Sequence, residues 1–145
     1  MIEQQAQAVW RGGLKKGSGT FESGSIDGQY SFASRFEGGK GSTPEELIGA
    51  AQAACFSMAL SLFLEERGHT PEAIRTSAKV SLDPSQLAIT RIELNTEATV
   101  DGVEEGEFRE IAEQAKQNCP VSKALAGVQI VLKSAALSSV AADRR

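Results

Sequence analysis

The chain has 145 residues, 41% of them apolar, and a net charge of −4 at pH 7, which is the size and balance of one domain around one core. No basic cluster is larger than Lys15-Lys16 or Arg144-Arg145, so nucleic acid is not expected as a partner. The opening MIEQQAQAVW has neither a basic n-region nor an apolar h-region; a cytoplasmic location is expected, with the two cysteines as thiols and not as a permanent staple.

Residues 3–12, 18–26 and 29–36 read as short strands separated by GGLKKGSG and SIDGQ, with Asp27-Gly28 as a hairpin turn. Strict alternation along the third strand places Tyr30, Phe32 and Phe36 on one face and Arg35 on the other. Thr43-Pro44-Glu45-Glu46 opens a helix: Thr43 is the N-cap, Pro44 the first position and Glu46 the capping-box position. The helix is expected to reach about Arg67 and to stop at Gly68. Its span Leu47–Leu64 is uncharged and long enough to suggest a bilayer crossing. Its content of Ala, Ser, Gly and Gln, and the strand-like segments on both sides, argue instead for a helix buried in protein, with no membrane partner. Covering such a helix on every side is hard in a chain this short and points to a second subunit.

Residues 73–82 and 86–100 alternate as strands joined by Asp83-Pro84. Residues 104–118 form a second helix with Phe108, Ile111, Ala112 and Ala115 on one stripe. Pro120 breaks or restarts it, Ser122–Ala126 makes a further helical turn, and Val128–Ser138 is a last strand. The order βββ-α-ββ-α-β predicts a single α+β domain over 1–145 with a largely antiparallel sheet.

Residue counts then limit the chemistry. A single histidine, His69, excludes a His-rich metal site and reads as a solvated residue near a helix end. Cys55 and Cys119 lack the further soft ligands of a structural zinc site. There is no P-loop, no GxSxG and no GxGxxG after a strand. Thiol chemistry is left. Cys119 lies eleven residues after Phe108 and extends its stripe. Cys55 sits within AAQAACFSMALS, so both cysteines are expected to face the interior from two helices lined with small residues. They are either a thiol pair within disulfide reach or buried small hydrophobes.

The stretch GSTPEELIGAAQAACFSMALS resembles the first-cysteine helix of the OsmC/Ohr family of organic hydroperoxide reductases, and NCPVSKAL resembles its second-cysteine motif. YSFASRFEGGKGSTPEEL is similar to the OsmC branch. The resemblance implies an OsmC-like fold, an intertwined homodimer with antiparallel sheet wrapped around central helices. It implies a thiol-dependent peroxidase for organic hydroperoxides, weaker on hydrogen peroxide, with no metal or prosthetic group. It assigns Cys55 as the peroxidatic cysteine, Cys119 as the resolving cysteine, Arg35 as the activating cation and Glu45 as its carboxylate partner. It further implies a dithiol reductant, a lipoyl group being the best candidate.

Phe56, Met58 and Leu62 are expected to supply apolar walls suited to an alkyl hydroperoxide. Glu45 and Cys55 are ten residues apart on one helix, roughly 15 Å of rise. Arg35 and Glu45 are therefore expected to serve the Cys55 and Cys119 of a second chain. The alternative of another class is a non-catalytic module that holds a lipid-like ligand and keeps its cysteines as packing.

Overall fold

The computed structural model describes residues 1–138 and divides into two units, Met1–Leu47 and the chain from Ile48 onward. In the first unit β1 (Gln7–Arg11), β2 (Ser18–Ser23) and β3 (Ile26–Tyr30) form an antiparallel meander. At one end of it Trp10 and Tyr30 form an aromatic pair with ring centroids 5.5 Å apart. Both rings lie over Gly19, where a Cβ would come within 2.5 Å of Tyr30 and 2.8 Å of Trp10.

Two expectations for this unit are corrected. The hairpin turns at Gly24-Ser25, since Ser23 pairs with Ile26 and Gly24 takes a φ of 51°. Asp27 and Gly28 lie inside β3, and Gly28 is there because a Cβ would meet the Phe21 ring across the strands at 2.5 Å. The second correction concerns 29–36. The strand ends at Tyr30, and Phe32–Phe36 is a short helix, α1. Ser31 caps it: its hydroxyl accepts from the Ser34 N–H while the Ser34 hydroxyl accepts from the Ser31 N–H. That reciprocal box satisfies two otherwise orphaned donors and outcompetes the extended chain. Phe32 and Phe36, four residues apart, stack at 5.0 Å on the helix.

α2 runs from Pro44 to Glu66. The Thr43 hydroxyl accepts from the Glu46 N–H at 3.0 Å, as expected of the N-cap. At its other end Gly68 takes a φ of 84°, and the His69 N–H turns back to the Leu64 carbonyl, the glycine-stopped end that was anticipated.

The second unit holds β4 (Ala73–Asp83), β5 (Ala88–Thr99), α3 (Glu105–Asn118), α4 (Pro120–Ala124) and β6 (Gln129–Leu137). β4 and β5 are antiparallel, but β6 adds to β5 in parallel. A parallel neighbour needs a crossover, and α3 and α4 supply it. Phe56, Leu60 and Leu64 from α2 join Ile92, Leu94 and Ala98 from β5 and Phe108, Ile111, Ala112 and Ala115 from α3 in one core. α2 is long and apolar enough to cross a bilayer by length and composition, yet this face of it is committed to a protein core. A hydroxyl chain fixes it further: Ser57 donates to Thr76 at 2.8 Å, and Thr76 and Thr96 are 3.0 Å apart. His69 is not freely solvated: its side chain is only 17% exposed, with Glu107 3.7 Å away.

Leu60 is fully buried in this core. Leu60→Ala should cost about 2–5 kcal/mol, seen as a lower urea midpoint at an unchanged m-value.

Candidate active site

Cys119 stands where α3 ends and α4 begins. Pro120 disfavours the helical conformation at the residue before it, and Cys119 accordingly takes φ −63° and ψ 130°. Its N–H still closes the last turn of α3 on Ala115, and its carbonyl accepts the first bond of α4 from Lys123. The residue is pinned from both sides. Its side chain extends the stripe Phe108, Ile111, Ala112, Ala115 and is fully buried, as the spacing predicts.

Cys55 is half-buried on α2, and both thiols are free. Cys55 is close enough to Cys119, and to the backbone of Val121, for both to act on its proton. The two thiols that the sequence brings under suspicion are therefore neighbours. Burial pushes the Cys55 thiol above its ordinary value, and hydrogen bonding to Cys119 pushes it the same way, while the Val121 N–H pulls it down. The net direction is upward, so within its own unit Cys55 is held as the neutral thiol and needs a positive charge to become a nucleophile.

The expected apolar walls are corrected in part. Phe56 is fully buried, but it belongs to the core cluster. Met58 is 79% and Leu62 54% exposed. A helix turns 100° per residue, so the buried line Gln52, Phe56, Leu60, Leu64 leaves 58 and 62 on the other side.

In the first unit Arg35 and Glu45 form a two-pronged ion pair. Arg35 Nε donates to Glu45 Oε1 and Nη2 to Oε2, each at 3.0 Å. Glu45 is buried, with its side chain 10% exposed against 37% for Arg35. The expectation that Arg35 lies across a strand from the phenylalanines is replaced: on α1 its guanidinium lies 5.4 Å from the Phe36 ring centroid. The Ser34 hydroxyl has one proton, with the Ser42 carbonyl at 2.9 Å and the Ser31 carbonyl at 3.0 Å as its two acceptors, and the Ser42 N–H returns to the Gln29 carbonyl. This clamp folds the chain so that residues ten apart meet. A planar fork held on a carboxylate keeps its charge and direction.

Gln52 was not singled out by its sequence context. It is fully buried, one turn before Cys55. Its Nε2 donates to the Ser122 hydroxyl at 2.8 Å and lies 4.0 Å from Cys119 Sγ. Its carbonyl oxygen has no partner among the described residues. A glutamine in an otherwise small and apolar run was the signal available.

A family model described as OsmC-like protein matches residues 37–133. The chain is 53% identical over 129 residues to the Escherichia coli (strain K12) protein named Peroxiredoxin OsmC, covering 86% of this chain and 90% of that one. Among solved structures, an OsmC like protein from Mycoplasma pneumoniae matches with a TM-score of 0.73 at 19% identity, covering 94% of this chain and 99% of that chain. The organic hydroperoxide resistance protein OhrB of Bacillus subtilis matches with a TM-score of 0.60 at 26% identity, covering 92% and 98%. The expected α+β, OsmC-like fold is borne out.

Cys119 raises the Cys55 pKa through both its hydrogen bond and its charge. Cys119→Ala removes both and should lower that pKa. Alkylation of Cys55 by iodoacetamide at a fixed pH below the pKa should become faster, and the rate profile should move to lower pH.

Proposed function

The chain belongs to the OsmC family, and on that premise we propose that it is a thiol-dependent peroxidase that reduces organic hydroperoxides, and hydrogen peroxide more weakly. The observation that carries this reading is the pairing of Cys55 with Cys119 across α2 and the α3–α4 junction. The Cys55 thiolate attacks the terminal oxygen of the hydroperoxide. The O–O bond breaks, the alcohol leaves with a proton, and Cys55 becomes a sulfenic acid. The Cys119 thiolate then attacks Cys55 Sγ, the S–O bond breaks, and water leaves as the disulfide forms. A dithiol, a lipoyl group on a partner protein being the candidate, returns both thiols to the reduced state.

The nucleophile's need for a positive charge directs the rest of the proposal. Arginine keeps its charge when buried, and Arg35 on Glu45 is a pre-aimed guanidinium. Glu45 and Cys55 are ten residues apart on one helix, about 15 Å of rise, too far for a glutamate side chain to span. The pair is therefore assigned to the Cys55 of a second copy, in a homodimer whose two sites each draw on both chains. The exposed apolar side chains of α2, Met58 and Leu62, support a second copy as their cover. An alkyl group of the substrate suits the same apolar surroundings.

Thiols counted before and after one equivalent of cumene hydroperoxide should fall by two in the reduced protein; a module with packing cysteines would lose none. Cys55→Ser should abolish peroxide consumption. Cys119→Ser should consume about one equivalent and stall at the sulfenic or an over-oxidised state; normal dithiol-supported turnover by that variant would remove Cys119 from the resolving role.

Arg35→Ala should move the Cys55 alkylation profile to higher pH and slow peroxide reduction at neutral pH, with Arg35→Lys restoring only part of the rate. Cys55→Ser mixed with Arg35→Ala under subunit exchange should regain activity, because one site of each mixed dimer is intact. No recovery despite demonstrated exchange would refute the two-chain site.

A further inference from the structure

We propose that Gln52 is a positioning residue for the second thiol: its amide seats Cys119 and donates to that sulfur as negative charge develops on it. It thereby controls closure of the disulfide and not the attack on peroxide. The inference rests on the reading of Cys119 as the resolving cysteine.

Gln52 is fully buried, and its Nε2 carries two N–H groups. One donates to the Ser122 hydroxyl at 2.8 Å, which ties α2 to α4. Cys119 Sγ lies 4.0 Å from the same nitrogen, at the long end for an N–H···S contact. Contacts of this kind tighten when the acceptor gains charge. The carbonyl end of the amide is buried with no partner among the described residues. An orphaned buried oxygen is a standing cost that an apolar side chain of the same length would avoid. The amide is thus poorly explained as packing and well explained by the sulfur and hydroxyl at its other end.

The chemistry locates the demand. In the resolving step Cys119 gives up its proton, its sulfur attacks Cys55 Sγ, and the hydroxide that leaves takes up a proton as water. Negative charge must gather on a fully buried sulfur, so the donor that meets it has to come from the protein. The amide N–H of Gln52 is a donor aimed at it. A hydrogen bond to a charged group is worth enough to change a rate about tenfold.

The test isolates this step without peroxide. Reduced protein is mixed with one equivalent of the chromogenic disulfide dithiodipyridine. Cys55 attacks it and releases one thiopyridone; Cys119 then displaces the second from the mixed disulfide. In Gln52→Met the first release should stay within about twofold of the parent. The second should slow about tenfold, with its profile moved to higher pH. Gln52→Glu, whose carboxylate only accepts, should be slower still once ionised. Ser122→Ala loosens the same amide from the α4 side and should slow the second release about threefold, which keeps the test available if Gln52→Met does not fold. A second release unchanged in rate and pH profile, or two releases slowed equally, would overturn the proposal. Two releases in the parent chain without any reaction with cumene hydroperoxide would refute the peroxidase reading and leave this one standing.

Discussion

A thiol in apolar surroundings resists ionisation, and much of the site answers to that one fact. Cys55 is pushed upward by burial and by its thiol neighbour, with a single backbone N–H pulling the other way. Partial burial sets the sulfur beside its partner, but it withholds the thiolate that the chemistry requires. The Arg35–Glu45 pair has the complementary character: a guanidinium whose direction is fixed by a buried carboxylate. In the proposed two-chain site each pair supplies what the other lacks. A neutral thiol is a weak nucleophile, and an oriented arginine without an anion has nothing to activate.

Backbone constraints set both halves. Pro120 ends one helix and begins the next, and the residue trapped between is Cys119. The short α1 exists because two serines three residues apart satisfy one another's backbone, and it carries Arg35. Neither arrangement uses a long-range contact to choose its local conformation. Cys119 is placed by stereochemistry at a proline and Arg35 by a serine cap.

The parts legible in the sequence are those where one local rule dominates. Thr43-Pro44 and Gly68 bound α2 because capping and the left-handed stop are local chemistry. The stripe ending at Cys119 follows from helical period alone. The OsmC/Ohr motifs singled out all four proposed site residues, and the structure brings them together as two pairs, Arg35 with Glu45 and Cys55 with Cys119. What was misread lies where two rules compete. FASRF alternates like a strand, but Ser31 and Ser34 also satisfy a cap, and the cap wins. Asp27-Gly28 is a good turn signal, yet Gly28 is required by the ring of Phe21 across the sheet. The parallel pairing of β6 with β5 has no local signature, since it depends on where a crossover returns. Gln52 escaped because nothing in its neighbours reveals that Ser122, seventy residues away, is waiting for a donor.

The placement of the two cysteines carries a further consequence. A bond between Cys55 and Cys119 would enclose the rest of α2, β4, β5 and α3, most of the second unit's core, in a loop of about 64 residues. Chain entropy alone makes such a cross-link worth about 4 kcal/mol to the folded state. The relation is reciprocal: whatever the cross-link adds to the fold, the fold adds to the cross-link. The oxidised molecule would therefore be the stiffer and longer-lived form, and the reduced one the softer. Each catalytic cycle would then be a mechanical cycle as well, tightening when the peroxide is spent and slackening when the dithiol arrives.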